Sequence, residues 1–194
     1  MTAKGWFAAT TILTMSLALP LAASAQPHQI DVHHSVLTVH VYKEGVFSAF
    51  GHDHEIAGEI SAGSVDTAAK HVEWHANAAS LRVRDPNVSE KDRDEVQKNM
   101  VGPDVLDVEH NPEIAFKSTS AEPMGPDGWS VRGDLTLHGQ TQPVTVEVKV
   151  RDGHYTGTAR LKQTAFGIKP IKIAGGAVRV KDEVRIDFDI QLEP

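Results

Sequence analysis

His52 and His54 flank Asp53 and are followed by Glu55 in the run Gly51-His52-Asp53-His54-Glu55-Ile56. On an extended chain two imidazoles at i and i+2 point to one face, where they can share a metal ion. A helical zinc-peptidase site is excluded, because His54-Glu55-Ile56-Ala57-Gly58 lacks the second histidine that H-E-x-x-H requires. As metal or haem ligands the pair needs at least one more donor, and His33, His34 and Glu44 are the nearest in sequence. The plainer and commoner reading of the same rings is polar residues at a strand end, hydrogen-bonded to backbone or water. If 52–60 is one unbulged strand, His52 and His54 share a face with Ile56, Gly58 and Ile60, so they point to the apolar side.

No other constellation carries chemistry. The chain has no cysteine, no G-x-S-x-G elbow and no phosphate-binding glycine loop, so the expectation is a protein that is not an enzyme, with no catalytic residues and no cofactor. The formal charge is −7 over 194 residues, which argues against binding to a phosphate backbone.

The elements that must position these residues follow from two patterns. Residues 1–25 hold one cation, Lys4, then an apolar run, then Ala23-Ser24-Ala25. This is the order of a cleaved export signal, and it leaves 26–194 as a single domain. The expected location is periplasmic or secreted in a bacterium, and the absence of cysteine means that no disulfide can brace the fold there. No later segment is apolar enough to span a membrane as a helix.

From residue 30 onwards apolar and polar residues alternate. Val144, Val146, Val148 and Val150 oppose Thr145, Glu147, Lys149 and Arg151, and Val184, Ile186, Phe188, Ile190 and Leu192 oppose Arg185, Asp187, Asp189 and Gln191. Turn signals at 125–128, 139–143, 152–153 and 175–176 separate the runs, and Asp152-Gly153 predicts a tight hairpin. Closely spaced antiparallel strands with one apolar face imply a sandwich or a barrel. One stretch differs: Ser89 as N-cap, acids in the first turn and Gly102-Pro103 as a stop predict a short helix over 89–100, with Val96 and Met100 on one face.

Several landmarks in fixed order then converge. They are Ile30-Asp31 with His34-Ser35, Arg93-Asp94 in the helical insertion, the run Val105-Leu106-Asp107-Val108-Glu109-His110-Asn111-Pro112-Glu113-Ile114-Ala115-Phe116, Gly133-Asp134-Leu135-Thr136-Leu137-His138-Gly139 and Phe166-Gly167-Ile168. In these the chain resembles the YceI-like family of exported lipid- or polyisoprenoid-binding proteins. It departs from that family's pattern at Glu44-Gly45 and at Glu95-Val96-Gln97.

The resemblance implies an all-β, mainly antiparallel fold: an extended eight-stranded lipocalin-like β-barrel with a short helical insertion. It also implies non-catalytic binding or carriage of an amphipathic lipid or isoprenoid in an apolar tunnel. On the inward phase the tunnel candidates are Leu37, Val39, Val41, Ile56, Ile60, Val72, Trp74, Ile114, Phe116, Leu135, Leu137, Val144, Val146, Phe166, Ile186 and Phe188. Rim candidates are His52, His54, Arg82 and Arg84, with metal or haem binding by His52 and His54 as the alternative. Pairing of exposed barrel edges into a homodimer is a further expectation.

Overall fold

The structure is a computed structural model, which describes residues 26–45 and 53–194. The expected signal segment and His52 lie outside the described residues. The strands are β1 (His28–Gln29), β2 (Val36–Glu44), β3 (His54–Gly58), β4 (Ile60–Asp66), β5 (His71–Asn77), β6 (Arg82–Val83), β7 (Glu113–Pro123), β8 (Gly128–Leu137), β9 (Gln140–Arg151), β10 (His154–Lys162), β11 (Lys172–Ile173) and β12 (Val178–Gln191). One helix, α1 (Glu90–Val101), lies between β6 and β7. The strands form one antiparallel sheet in the order β1-β4-β5-β7-β8-β9-β10-β12-β2-β3-β6, with β11 on β12.

The twelve segments reduce to eight long runs. β1, β6 and β11 are two residues each, while β3 and β4 are halves of one run broken at Glu59. β3 pairs with β2 and β4 pairs with β5, so this bent run joins the two flanks of the long-strand order and curls the sheet around a lumen. The N-terminal segment ties the same seam. Ile30 N–H donates to Gly63 O at 2.9 Å, and Asp31 N–H donates to Gln191 O at 2.8 Å.

Turn chemistry sets the register. Between β9 and β10, Asp152 and Gly153 adopt φ of 52° and 83°, the left-handed pair that a two-residue hairpin with the right twist demands. His138 and Gly139, at 51° and 67°, do the same between β8 and β9. The turn expected over 139–143 is therefore shorter, because Gln140–Pro143 already pair with β8. His138 belongs to the turn and its Nδ1 lies 3.0 Å from Phe166 O.

The helix forms where its caps predict. The Ser89 hydroxyl accepts from Asp92 N–H at 3.2 Å, Glu90 and Asp92 face the positive end of the helix dipole, and Gly102 ends it. Gln97 fastens α1 to the barrel: its side-chain amide donates to Leu81 O and its carbonyl accepts from Val83 N–H, both at 2.9 Å. That residue is one of the departures from the family pattern. Met100, 7% exposed, reaches from the last turn into the main core.

Candidate functional site: an apolar lumen

Because side chains alternate across each strand, one phase of every long run faces the lumen. On β10 this phase is Tyr155, Ala159 and Leu161, and on β12 it is Val184, Ile186, Phe188 and Ile190. On β9 it is Val144, Val146, Val148 and Val150. Together with their counterparts on the other strands they enclose a cavity of about 470 Å³, a volume suited to a small-molecule ligand. Polar side chains on its wall are few: Asp66, Thr67, Lys70, His71, Tyr155 and Gln163.

Three glycines keep the lumen open by letting aromatic rings lie against the wall. Gly63 faces Trp74 and Gly157 faces Phe188 across neighbouring strands, and Gly133 lies beside Phe116. A Cβ at Gly157 would stand 2.5 Å from Phe188 Cζ, and one at Gly133 would stand 2.6 Å from Phe116 Cε2. Trp74 and Phe116 stack at 6.2 Å between centroids. Each ring adds apolar surface without crossing the cavity.

The two ends of the lumen differ. Met100, Leu106 and Ile168 are 7%, 8% and 4% exposed, so α1, the turn between α1 and β7, and the segment after β10 close one end. At the other end the β4–β5 turn contributes Asp66, Thr67, Lys70 and His71 beside Trp129 and Val150. Thr67 and Lys70 are exposed, so this end is the mouth. Asp66 is occupied by its own turn, accepting Ala69 N–H at 2.7 Å. His71 lies 3.1 Å from Ser118 Oγ through Nδ1 and 3.5 Å from Glu73 through Nε2.

Of the tunnel candidates, Leu37, Val39, Val41, Ile56, Val72, Trp74, Ile114, Phe116, Leu135, Leu137, Val144, Val146, Ile186 and Phe188 line this cavity. Ile60 and Phe166 do not. Ile60, 3% exposed, is covered by Ile30, Leu37 and Ile190 beside the register shift between Ile60 and Ala62. Phe166, 1% exposed, sits on no strand; it closes the short 3-10 turn Gln163–Phe166 and is packed into the core. The neighbours Gln163 and Ile168 reach the lumen instead.

The rim candidates are corrected more deeply. His54 is paired with Val41, which places it at the closed end, and its ring turns away from the lumen to Asp85. Nδ1 lies 2.6 Å from an Asp85 oxygen, and the other Asp85 oxygen accepts Glu55 N–H at 2.7 Å. The pair lines a separate polar pocket with His40, Tyr42 and Asn87. Arg82 is exposed and donates to Ala79 O and Leu81 O, while Arg84 is exposed and uses its backbone N–H on Glu55 O. Neither arginine lines the lumen.

Most other histidines serve as partners for carboxylates. His34 pairs with Asp31, His40 with Asp187, His75 with Glu113, His110 with Asp107 and His154 with Asp189. Among the described residues no group of three histidine or carboxylate side chains is placed to hold a metal ion. On the outer face of β12 the Arg185 guanidinium, assisted by the Thr158 hydroxyl, holds the Asp187 carboxyl below its ordinary range.

Sequence reasoning missed Lys70 and Leu106 as lumen residues, whereas the Val96–Met100 spacing sets Met100 on the packing face of the helix. Lys70 sits in the β4–β5 turn and Leu106 in the turn after α1, so neither carries a period-two signal.

Comparison with known proteins agrees with this architecture. A YceI-like domain matches residues 28–192. A UPF0312 protein of Vibrio parahaemolyticus is 30% identical over 189 residues, covering 91% of this chain and 94% of the relative. A UPF0312 protein of Shewanella sp. is 29% identical over 172 residues, covering 82% and 86%. Among solved structures, BcnA of Burkholderia cenocepacia superposes with a TM-score of 0.62 at 21% identity, over 83% of this chain and 98% of that one. A mutant YceI protein of Campylobacter jejuni gives 0.51 at 14% identity, over 72% and 81%. From the domain match across nearly the whole described barrel, the chain belongs to the YceI-like family.

Proposed function

We propose that the protein binds and carries a long-chain amphipathic ligand, a polyisoprenoid-type or other single-chain lipid, in the periplasm, and performs no chemistry on it. The observation that carries this reading is the lumen: about 470 Å³, apolar along its length, closed at one end and open at a polar mouth. Transfer of a hydrocarbon chain from water into such a wall gains roughly 0.8 kcal/mol per methylene before ordering costs, enough to hold a lipid without any reactive group. The export signal read in residues 1–25 supports the location.

Two lumen variants test the reading through retention of bound lipid. Phe116→Glu places a carboxylate in the apolar wall, and Ala159→Phe fills the lumen without adding charge. Both are expected to lose the lipid while keeping the β-rich circular dichroism of the parent. Undiminished retention in folded Ala159→Phe protein would count against the lumen as the site.

A further inference from the structure

The mouth has a chemical character that the rest of the lumen lacks. Among the described residues Lys70 is the one on the wall with a permanent positive charge, and it stands in the turn at the open end with φ of 54°. Among the described residues no carboxylate lies within 4.0 Å of its ammonium group. The group is instead 5.9 Å from the centroid of Trp129, an aromatic that also lines the mouth. Of the acids in β4 and β5, Asp66 also lines the mouth and is oriented by Ala69 N–H, while Glu73 faces His71 and Lys117. An amphiphile seated in the lumen therefore meets, where its head emerges, one ammonium group that no carboxylate pairs directly, with Asp66 as the acid on the same wall.

The length of the lumen follows from the strands. On β8 the wall runs from Trp129 at the mouth to Leu137 near the closed end. Eight residues at about 3.4 Å each make roughly 27 Å along the strand. A barrel tilt of about 40° reduces this to roughly 20 Å along the axis. An extended chain advances about 1.2 Å per bond, so the axis takes about 16 chain atoms.

We propose that the ligand is a single-chain anionic amphiphile with about 16 chain atoms in the lumen, its carboxylate or phosphate head on Lys70 and its tail end against Met100, Leu106 and Ile168. The proposal rests on the reading of the lumen as a lipid site, and it fixes the ligand's orientation: the head lies at the β4–β5 turn, at the opposite end of the barrel from His54. A chain much longer than this leaves its excess in water.

Competition for a fluorescent apolar probe tests it, using delipidated protein with hexadecanoate, hexadecan-1-ol, octanoate, tetracosanoate, acetate and inorganic phosphate. Hexadecanoate is expected to bind about fivefold tighter than hexadecan-1-ol at low salt, the scale of an exposed ion pair. Lys70→Arg keeps that preference, and Lys70→Gln abolishes it while leaving hexadecan-1-ol binding unchanged. Octanoate binds far more weakly, tetracosanoate no tighter than hexadecanoate, and acetate and phosphate do not compete.

A preference that survives in Lys70→Gln, or is missing in the parent while hexadecan-1-ol still binds, overturns the anionic mouth and leaves the lumen reading standing. Tighter binding of tetracosanoate overturns the length. Acetate or phosphate shifting the Lys70 resonances with an affinity matching hexadecanoate makes this a small-anion site and overturns the proposal. Failure of every chain to bind overturns the lumen reading itself.

Discussion

Asp85 is 3% exposed, and its two oxygens answer two donors, His54 Nδ1 and Glu55 N–H. Removing a buried acceptor leaves its donors unsatisfied, so Asp85→Ala is expected to cost about 1–3 kcal/mol in denaturant unfolding. Lipid retention should be unchanged, because the pair faces a pocket outside the lumen; loss of retention would place His54 in the ligand site. His110 offers a pH test. The Asp107 carboxylate, hydrogen-bonded to the ring, raises the His110 pKa above 6.5. A raised folded pKa means that the pair adds stability below pH 6.5 and loses it as pH rises through the raised value. The stability difference between the parent and His110→Gln should therefore be largest on the acid side and close on the alkaline side. A difference that grows with pH would contradict the assignment.

At the scale of elements, the wall depends on pairing glycine with aromatic residues across strands. Gly157→Ala sets a Cβ against Phe188 and against Glu147 O. The expected outcome is overpacking, with about 1–3 kcal/mol lost in unfolding measurements and weaker lipid retention as the ring swings inward. Unaltered stability and retention would show that the ring is not seated on this glycine. Alternation in β9 and β12 made the inner face legible directly from the sequence, and it identified Val144, Val146, Ile186 and Phe188 as lumen residues. A period of two states which face a residue occupies and is silent about which end of the barrel it lies at. His54 was thus assigned the correct strand phase, yet it stands at the closed end and turns to Asp85. Phe166 was misplaced for a different reason, since a 3-10 turn packed into the core has no strand phase at all. Lys70 and Leu106 reach the lumen from turns, where only the folded chain brings them to the wall.

For the whole molecule, the curled sheet has α1 and Leu106 packed at one end of its lumen and the turn bearing Asp66 and Lys70 at the other, so the two ends differ in chemistry. Its outer face carries the charges that keep it in water: His154 against Asp189, Arg160 against Glu183 and Arg179 against Glu44. No helix among the described residues is long and apolar enough to cross a membrane. The central claim is that the lumen holds a lipid chain, and native mass spectrometry of the protein as purified from cells that make it tests this most directly. The account predicts one added mass per chain that is released on denaturation as a single-chain apolar molecule and is missing from Ala159→Phe. A native mass equal to the denatured mass of the same chain, or retention of a metal or haem instead, would contradict it.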